Sequence, residues 1–517
     1  MTCLDAPHLK TGDDYRESLR RHSPEVYVRG RRVESVADEP LFAPGINAVA
    51  LTYDVAHRES AKHLAHAVQH SSGRRVHRFT HINRTRDDLL AKLELVRLVC
   101  QETGCAQRYL THDAFNAIWQ ATHRIDADGG SDYHPRFQAY LHRVQDQDLA
   151  LGIAMTDAKG DRSLHPHQQP NPDSYLHIVE RRPDGIVISG CKAIVTGAPY
   201  MHECLVMPCR NMNEADAAFA VCCAVPVDAP GLTIVARQAG RPGEAAAKFS
   251  AKYGQSTAVL LFDRVFVPHE RVFLAGEWQH SLFLTQTYAT HHRHSCIAAR
   301  AGFGDLLIGA GALMCEANGL DPYETQHLRD AMVELIKITE GFYACGIASS
   351  VQCTADPSGN VMPDVVFSNI GKLLMTSQIY DMHRVAHTVS GGLIVALPGP
   401  DEDHNPATAA RLSDVLQGRA DIPYERRIET ARFIEDLTVS DQAGWYSVIT
   451  LPGGGSPEAM KREIMRHYPV GDKVDLVERL LDRGVLAEDA TRSITRNRQP
   501  GRCCAEGCKE PGAGPLP

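Results

Sequence analysis

Apolar positions along this chain change period twice, and the changes divide it. In the stretch starting near residue 86, Leu89, Leu93, Val96 and Val99 fall on one helix face, with Asp87 and Asp88 suited to the first turn. Two further helices are predicted over 113–123 and 135–149. From about residue 155 the period shortens to two. Leu176, Ile178, Ile186 and Ile188 alternate with polar residues around the turn Pro183-Asp184-Gly185, and 259–268 is a second β-rich run. Beyond residue 283 the helical period returns. Leu328, Met332, Leu335, Ile336 and Phe342 mark one long helix, and 366–389 another, closed by Gly391 and Gly392.

The order predicts an α+β, mostly α chain. Residues 1–150 form an N-terminal helical domain, 151–282 a middle β domain of barrel or sandwich type, and 283–495 a C-terminal helical bundle. The Pro-, Gly- and Cys-rich segment 496–517 reads as a disordered tail. A concave site is expected between the β domain and the bundle.

Composition narrows the function classes. A net charge of −9 leaves no basic face for nucleic acid. No stretch reaches the ~18–20 uninterrupted apolar residues of a membrane span, and the first twenty residues lack the apolar core of a secretory signal. The 15 cysteines then read as reduced thiols of a cytoplasmic protein. Cys503, Cys504 and Cys508 lack a second ligand pair, so no metal is expected.

Six segments carry candidate chemistry: MTDAKGDR (155–162), GCKAIVTGA (190–198), FDRVFVPHERVF (262–273), HHRHS (291–295), SGGLIVALP (390–398) and GGGSPEA (453–459). Lys159, Asp161 and Arg162 set charge beside backbone amides, as a pyrophosphate or ribose needs, and equally as a solvated turn has. Thr196 ends a strand before Gly197, where an amide can approach a ring closely. Gly391-Gly392 and Gly453 to Ser456 expose amides without side-chain obstruction, which suits phosphate contacts or helix termination.

In this order the six segments resemble the successive signatures of the 4-hydroxyphenylacetate 3-hydroxylase family, over about residues 15–480. The resemblance implies an acyl-CoA-dehydrogenase-like fold, a homotetramer and bound FAD. It assigns the flavin to Met155, Thr156, Lys159, Gly160, Asp161, Arg162, Thr196, Gly391, Gly392, Gly454, Gly455 and Ser456. The small-residue segment 298–312 would allow close helix approach between or within chains.

The family has two branches, and the wording of DAFNA, TDAKGDR and GSP is nearest to its 4-hydroxybutyryl-CoA dehydratases. Their [4Fe–4S] cluster takes three cysteines and a histidine; Cys105 and His292 match two of these, but Tyr109 and Ala299 stand at the others. Two expected acids stand as Thr257 and Ile449, and an expected tyrosine as Cys296. No iron–sulfur cluster is therefore expected, and Cys105 and Cys296 read as small buried residues. In the phenol hydroxylases of the other branch, an arginine and a histidine serve the substrate hydroxyl. Arg108 and His292 match these, with Tyr109 the nearest phenol. Phe115, Gly152 and Cys296, on the substrate side, depart from the family pattern.

The resulting expectation is a monooxygenase that uses FADH2 and oxygen to hydroxylate a small aromatic, phenolic molecule. A separate NAD(P)H:flavin reductase would supply the reduced flavin, since no G-x-G-x-x-G follows a strand. The rival expectations are a cluster-free flavoenzyme catalysing dehydration, isomerisation or desaturation, and a non-catalytic binding or scaffold protein.

Overall fold

A computed structural model describes residues 9–483; the predicted tail, with Cys503, Cys504 and Cys508, lies outside the described residues. The chain opens with α1 (Gly12–Leu19), β1 (Glu25–Val28), β2 (Arg31–Arg32), α2 (Ala43–Asp54), a single turn α3 (Lys62–Ala65) and the hairpin β3 (His66–Gln69) and β4 (Arg74–His77). Three longer helices follow, α4 (Arg86–Thr103), α5 (Tyr109–Gly129) and α6 (Tyr133–Gln147). The start of α4 is set locally: Thr85 and Asp88 form a reciprocal capping box, and Asp87 and Asp88 occupy the positive end of the helix. The predicted helix over 113–123 is longer than its apolar stripe indicated, because Tyr109, Thr111 and His112 are also buried.

The middle of the chain holds β5 (Leu151–Ala154), β6 (His177–Arg182), β7 (Gly185–Thr196), β8 (Glu203–Val206), β9 (Val221–Pro226), β10 (Leu232–Ala236), β11 (Thr257–Pro268) and β12 (Val272–Ala275). They form a six-stranded sheet, β2-β1-β10-β11-β7-β6, and a four-stranded sheet, β12-β9-β8-β5. Side chains from both sheets meet in one core. The N-terminal segment, expected as helical, thus supplies two strands to the larger sheet; β1 runs parallel to β10, with Glu25 opposite Thr233. Its four residues alternate half-buried and buried.

The bundle comprises α7 (Ser281–Ala317), α8 (Gln326–Val351), the short ribbon β13 (Thr354–Ala355) and β14 (Val361–Met362), α9 (Val365–Ser390), α10 (Ala409–Val415), α11 (Tyr424–Thr438), α12 (Asp441–Thr450), α13 (Pro457–His467) and α14 (Val470–Arg483). By length and composition the stretch Trp278–Ala317 could cross a membrane. Here α7 is the central bundle helix, buried on most of its faces. Its small residues are used within the chain: a Cβ on Gly302 would meet Cys100 of α4 at 2.8 Å, and one on Gly304 would meet Thr339 of α8 at 2.4 Å. This contact holds α7 against α4, and α7 also packs on α5.

Candidate functional site

The facing sides of α4, α5 and α7 carry ionisable groups where a helix interface is ordinarily apolar. Asp113, one turn into α5, is fully buried. One oxygen accepts from Ser295 Oγ at 2.6 Å, and the other lies 3.1 Å from His292 Nδ1. Lys92, equally buried on α4, donates to Ser295 Oγ at 2.8 Å and stands 3.7 Å from Asp113. On the far side of the His292 ring, Nε2 is 3.4 Å from Cys296 Sγ, one turn further along α7. The imidazole is stacked between Tyr288 and Tyr109, with centroids 5.4 and 6.2 Å away. A carboxylate, an imidazole and a thiol are therefore aligned in sequence and clamped by two rings.

Their charges depend on one another. Burial alone would discharge His292, but the Cys296 thiolate and Asp113 outweigh it and hold the imidazole pKa up at about 10. Burial likewise disfavours the Cys296 thiolate, yet His292 and then Lys372 pull its pKa below the ordinary thiol value. Asp113 resists burial through Lys92, His112 and His292 and stays well below the carboxylate range. The arrangement favours an imidazolium–thiolate pair backed by a carboxylate.

A cationic floor lies beneath it. Lys372 of α9 donates to Thr450 O and to Thr376 Oγ1, and burial lowers its pKa to about 8. Arg300 donates to Thr450 Oγ1 at 2.7 Å and to Tyr446 O at 3.2 Å, leaving Nη1 buried without a partner. Arg293 reaches Gly454 O at 2.8 Å and Asn369 at 2.7 Å. Gly454 needs its φ of 80° for the turn and touches the group directly. A Cβ there would meet Arg293 and His292 at 3.3 Å and Lys372 at 3.9 Å. Of the cofactor residues read from the sequence, Gly454 is thus brought to His292. Gly455 follows it, and Ser456 caps α13.

The other cofactor candidates lie apart. Thr196 ends β7 opposite Thr257 of β11, and Gly197 turns with a φ of 74°. Trp445 of α12 closes on Thr257 Oγ1 at 3.4 Å, so this strand end faces the bundle. The hydroxyls of Thr156 and Thr196 are half-buried and make no protein hydrogen bond among the described residues, and Gln107 Oε1 beside Gly197 is buried without a partner. Unused polar atoms at this junction fit a polar ring such as isoalloxazine. Met155 O accepts from Lys192 Nζ. Lys159 and Gly160 turn with positive φ, and Asp161 and Arg162 are exposed. Gly391 and Gly392 line a separate surface cavity of about 550 Å³ with His387 and Val395.

Three substrate-side residues are not brought to His292. Arg108 is fully buried, but its guanidinium pairs with Asp148 and lies 3.6 Å over the Tyr53 ring. Phe115 packs edge-on against Phe137 and Tyr140 in the core. Gly152, on β5, faces Cys204 and Met201. Conversely, Cys296, read from the sequence as a small buried residue, is hydrogen-bonded to the imidazole. Asp113, Lys92, Lys372 and Arg300 were not read from the sequence as site residues. One signal was present: Lys92 stands on the same stripe of α4 as Leu89, Leu93 and Val96, where a charge has no structural reason to be.

The donor set does not fit a cubane. Cys105 Sγ is 3.4 Å from Tyr109 OH, and the Tyr109 ring stacks on His292, so a phenol fills the space between the two remaining ligands. Ala299 supplies no donor atom.

Comparison with known proteins places the chain. The family model "4-hydroxyphenylacetate 3-hydroxylase N terminal" matches residues 11–274, and its C-terminal counterpart matches residues 283–482. The chain belongs to the 4-hydroxyphenylacetate 3-hydroxylase family. Within that family it is 34% identical over 485 residues to the 4-hydroxybutyryl-CoA dehydratase/vinylacetyl-CoA-Δ-isomerase of Clostridium aminobutyricum, covering 91% of this chain and 99% of that one. It is 25% identical over 436 residues to the oxygenase component of 4-hydroxyphenylacetate 3-monooxygenase from Thermus thermophilus, covering 83% and 89%. An oxygen-tolerant archaeal 4-hydroxybutyryl-CoA dehydratase from N. maritimus superposes with a TM-score of 0.88 at 35% identity, covering 94% and 99%. The 4-hydroxyphenylacetate 3-monooxygenase oxygenase component complexed with FAD superposes at 0.80 with 21% identity, covering 92% and 99%, which shows the shared α+β fold.

Proposed function

We propose that this member of the family is a cluster-free flavoenzyme that moves a proton along an acyl thioester, isomerising a β,γ-enoyl to an α,β-enoyl group. The observation that carries this reading is the Asp113–His292–Cys296 alignment over a floor of buried cations. The Cys296 thiolate takes a proton from the carbon next to the thioester carbonyl, and the charge passes to the carbonyl oxygen. Lys372, Arg293 and the His292 imidazolium stabilise that oxygen. The proton is then returned two carbons further along, so no net oxidation occurs. Asp113 holds His292 in orientation and charge. Thr156, Thr196 and the 159–162 segment would hold FAD, which would supply electron-accepting chemistry when bound.

Two considerations favour this over the hydroxylase expected from the sequence. The 34% relative carries an isomerase activity in its name, whereas the monooxygenase relative stands at 25%. A phenol hydroxylase would also use Arg108 beside His292, whereas the Arg108 charge is balanced by Asp148 and its planar face by Tyr53, with Nε and Nη1 left buried without a partner.

The test is anaerobic. FAD-loaded enzyme with a 3-enoyl-CoA should generate the conjugated 2-enoyl absorbance without oxygen or reductase. Substrate-dependent oxygen uptake on phenols with a flavin reductase, and no conjugation of the enoyl thioester, would establish the hydroxylase instead.

A further inference from the structure

We propose that His165, His167 and Asp216 form a binding site for a zinc-class divalent cation on the β domain, separate from the His292 group. His165 Nδ1 is 3.0 Å from one Asp216 oxygen and His167 Nδ1 is 2.6 Å from the other. All three donor atoms lie within 4.8 Å of one another. Pro166 opens the single 3-10 turn 166–168 and fixes the two imidazoles on the same side.

The carboxylate is also held by backbone amides, apart from either imidazole ring. Asp216 is fully buried and accepts the backbone amides of Asn213 and His167, each at 3.1 Å. The imidazoles remain open to solvent, with 42% and 28% of their side-chain surface exposed, so an ion can enter. Asn213 adds an independent sign. Its Oδ1 is buried without a partner, while its Nδ2 stands 3.5 Å from His165 Nδ1. Turning the amide over aims that oxygen at the trio, and the two assignments are equivalent in shape.

Two neutral imidazoles, a carboxylate and an amide oxygen or water make a tetrahedral donor set suited to Zn²⁺. Zinc–donor bonds of roughly 2.0–2.2 Å separate donors by about 3–3.5 Å. The His165 pair already meets this, and His167 must retreat by a few tenths of an ångström. Ligation and hydrogen bonding are mutually exclusive here, since each Nδ1 must lose its proton to bind metal and keep it to donate to Asp216. The consequence reaches the 159–162 segment, because Gln169, just past the turn, bonds both the amide and the carbonyl of Asp161 at 2.9 and 2.7 Å.

Chelator-stripped, FAD-loaded full-length protein should take up one Zn²⁺ per chain by calorimetry, with a raised thermal midpoint. The variant His165→Gln/His167→Gln should lose that ion, its affinity falling by more than the ~10–100-fold that loss of an outer-shell partner costs. X-ray absorption at the zinc edge of wild-type protein should show two imidazoles, a readout independent of how the variant folds. No stoichiometric ion, an ion retained in the variant, or a spectrum with fewer than two imidazoles would overturn the site and leave a hydrogen-bonded latch.

Discussion

Among the described residues, the buried charges around Arg108 and around His292 differ in whether a carboxylate answers each cation. Arg108 has one carboxylate, Asp148, to balance its charge and one aromatic face, Tyr53, although its Nε and Nη1 are buried without a hydrogen-bond partner. The His292 group instead gathers Lys92, Lys372, Arg293 and Arg300 around Asp113 and the Cys296 thiol, and neither Arg300 nor Lys372 has a carboxylate within ion-pair reach among the described residues. A matched pair holds helices together. An excess of one sign, buried at a cost, is left for charge that arrives with a ligand or develops in a reaction. Burial of a charge is therefore a poor guide to function until its partners are counted.

The sharpest way to break this contrast is His292→Ala. If the imidazolium stabilises the developing oxyanion, turnover should fall by ~10²–10³-fold with FAD retained, whereas Arg108→Met should leave turnover per folded enzyme within a few-fold. Steady-state rates normalised to bound flavin decide this, and equal losses in both variants would erase the distinction. Next in size is Asp113→Asn, which leaves Lys92 buried without its counter-charge and should cost about 3–5 kcal/mol in denaturant unfolding. Asp113 is depressed in the folded state, so its contribution is present above the ordinary carboxylate pKa and should disappear as pH falls through the acid range. The stability gained from His292, whose pKa is raised, is complete below the ordinary histidine pKa and is lost as pH rises through about 10.

For the structural pair, Asp148→Asn alone should destabilise strongly. Arg108→Met with Asp148→Asn should recover most of that loss, since removing both buried partners is often near neutral. A double-mutant cycle by chemical denaturation measures the difference. The smallest expected effect is a pH limb. Lys372 loses its proton as pH rises through about 8, so turnover should decline there. In Lys372→Arg the limb should move to higher pH, and an unmoved limb would take Lys372 out of the reaction.

Much of the scaffold was legible because long elements repeat their own signal. The stripe through Leu89, Leu93 and Val96 lies on an 18-residue helix, and the β-rich run 259–268 lies on a 12-residue strand, β11, whose burial alternates along most of its length. The strand β1 escaped because four residues carry too little pattern and its partner lies far along the chain. His292, singled out by its motif, stands in the buried group with Asp113 and Cys296, while Thr196, singled out by its strand-end glycine, lies at the junction of β7 with the bundle. Asp113 was not legible, because a single acid in a helical run reads as a surface residue until α7 is packed against it. The surroundings of Arg108 were not legible for the converse reason: its neighbours Asp148 and Tyr53 are distant in sequence, and nothing in the motif announces them.

The parallel pairing of β1 with β10 bears on how the chain is made. As synthesis proceeds from the N-terminus, β1 leaves the ribosome long before the strand it must join, and α4, α5 and α6 emerge in between. The helices can form early from local contacts, while β1 waits as an unpaired edge, the kind of exposed segment that chaperones hold and that aggregation exploits. Deleting the first three dozen residues would trade that hazard for a permanent one, leaving the outer edge of β10 open in the finished protein.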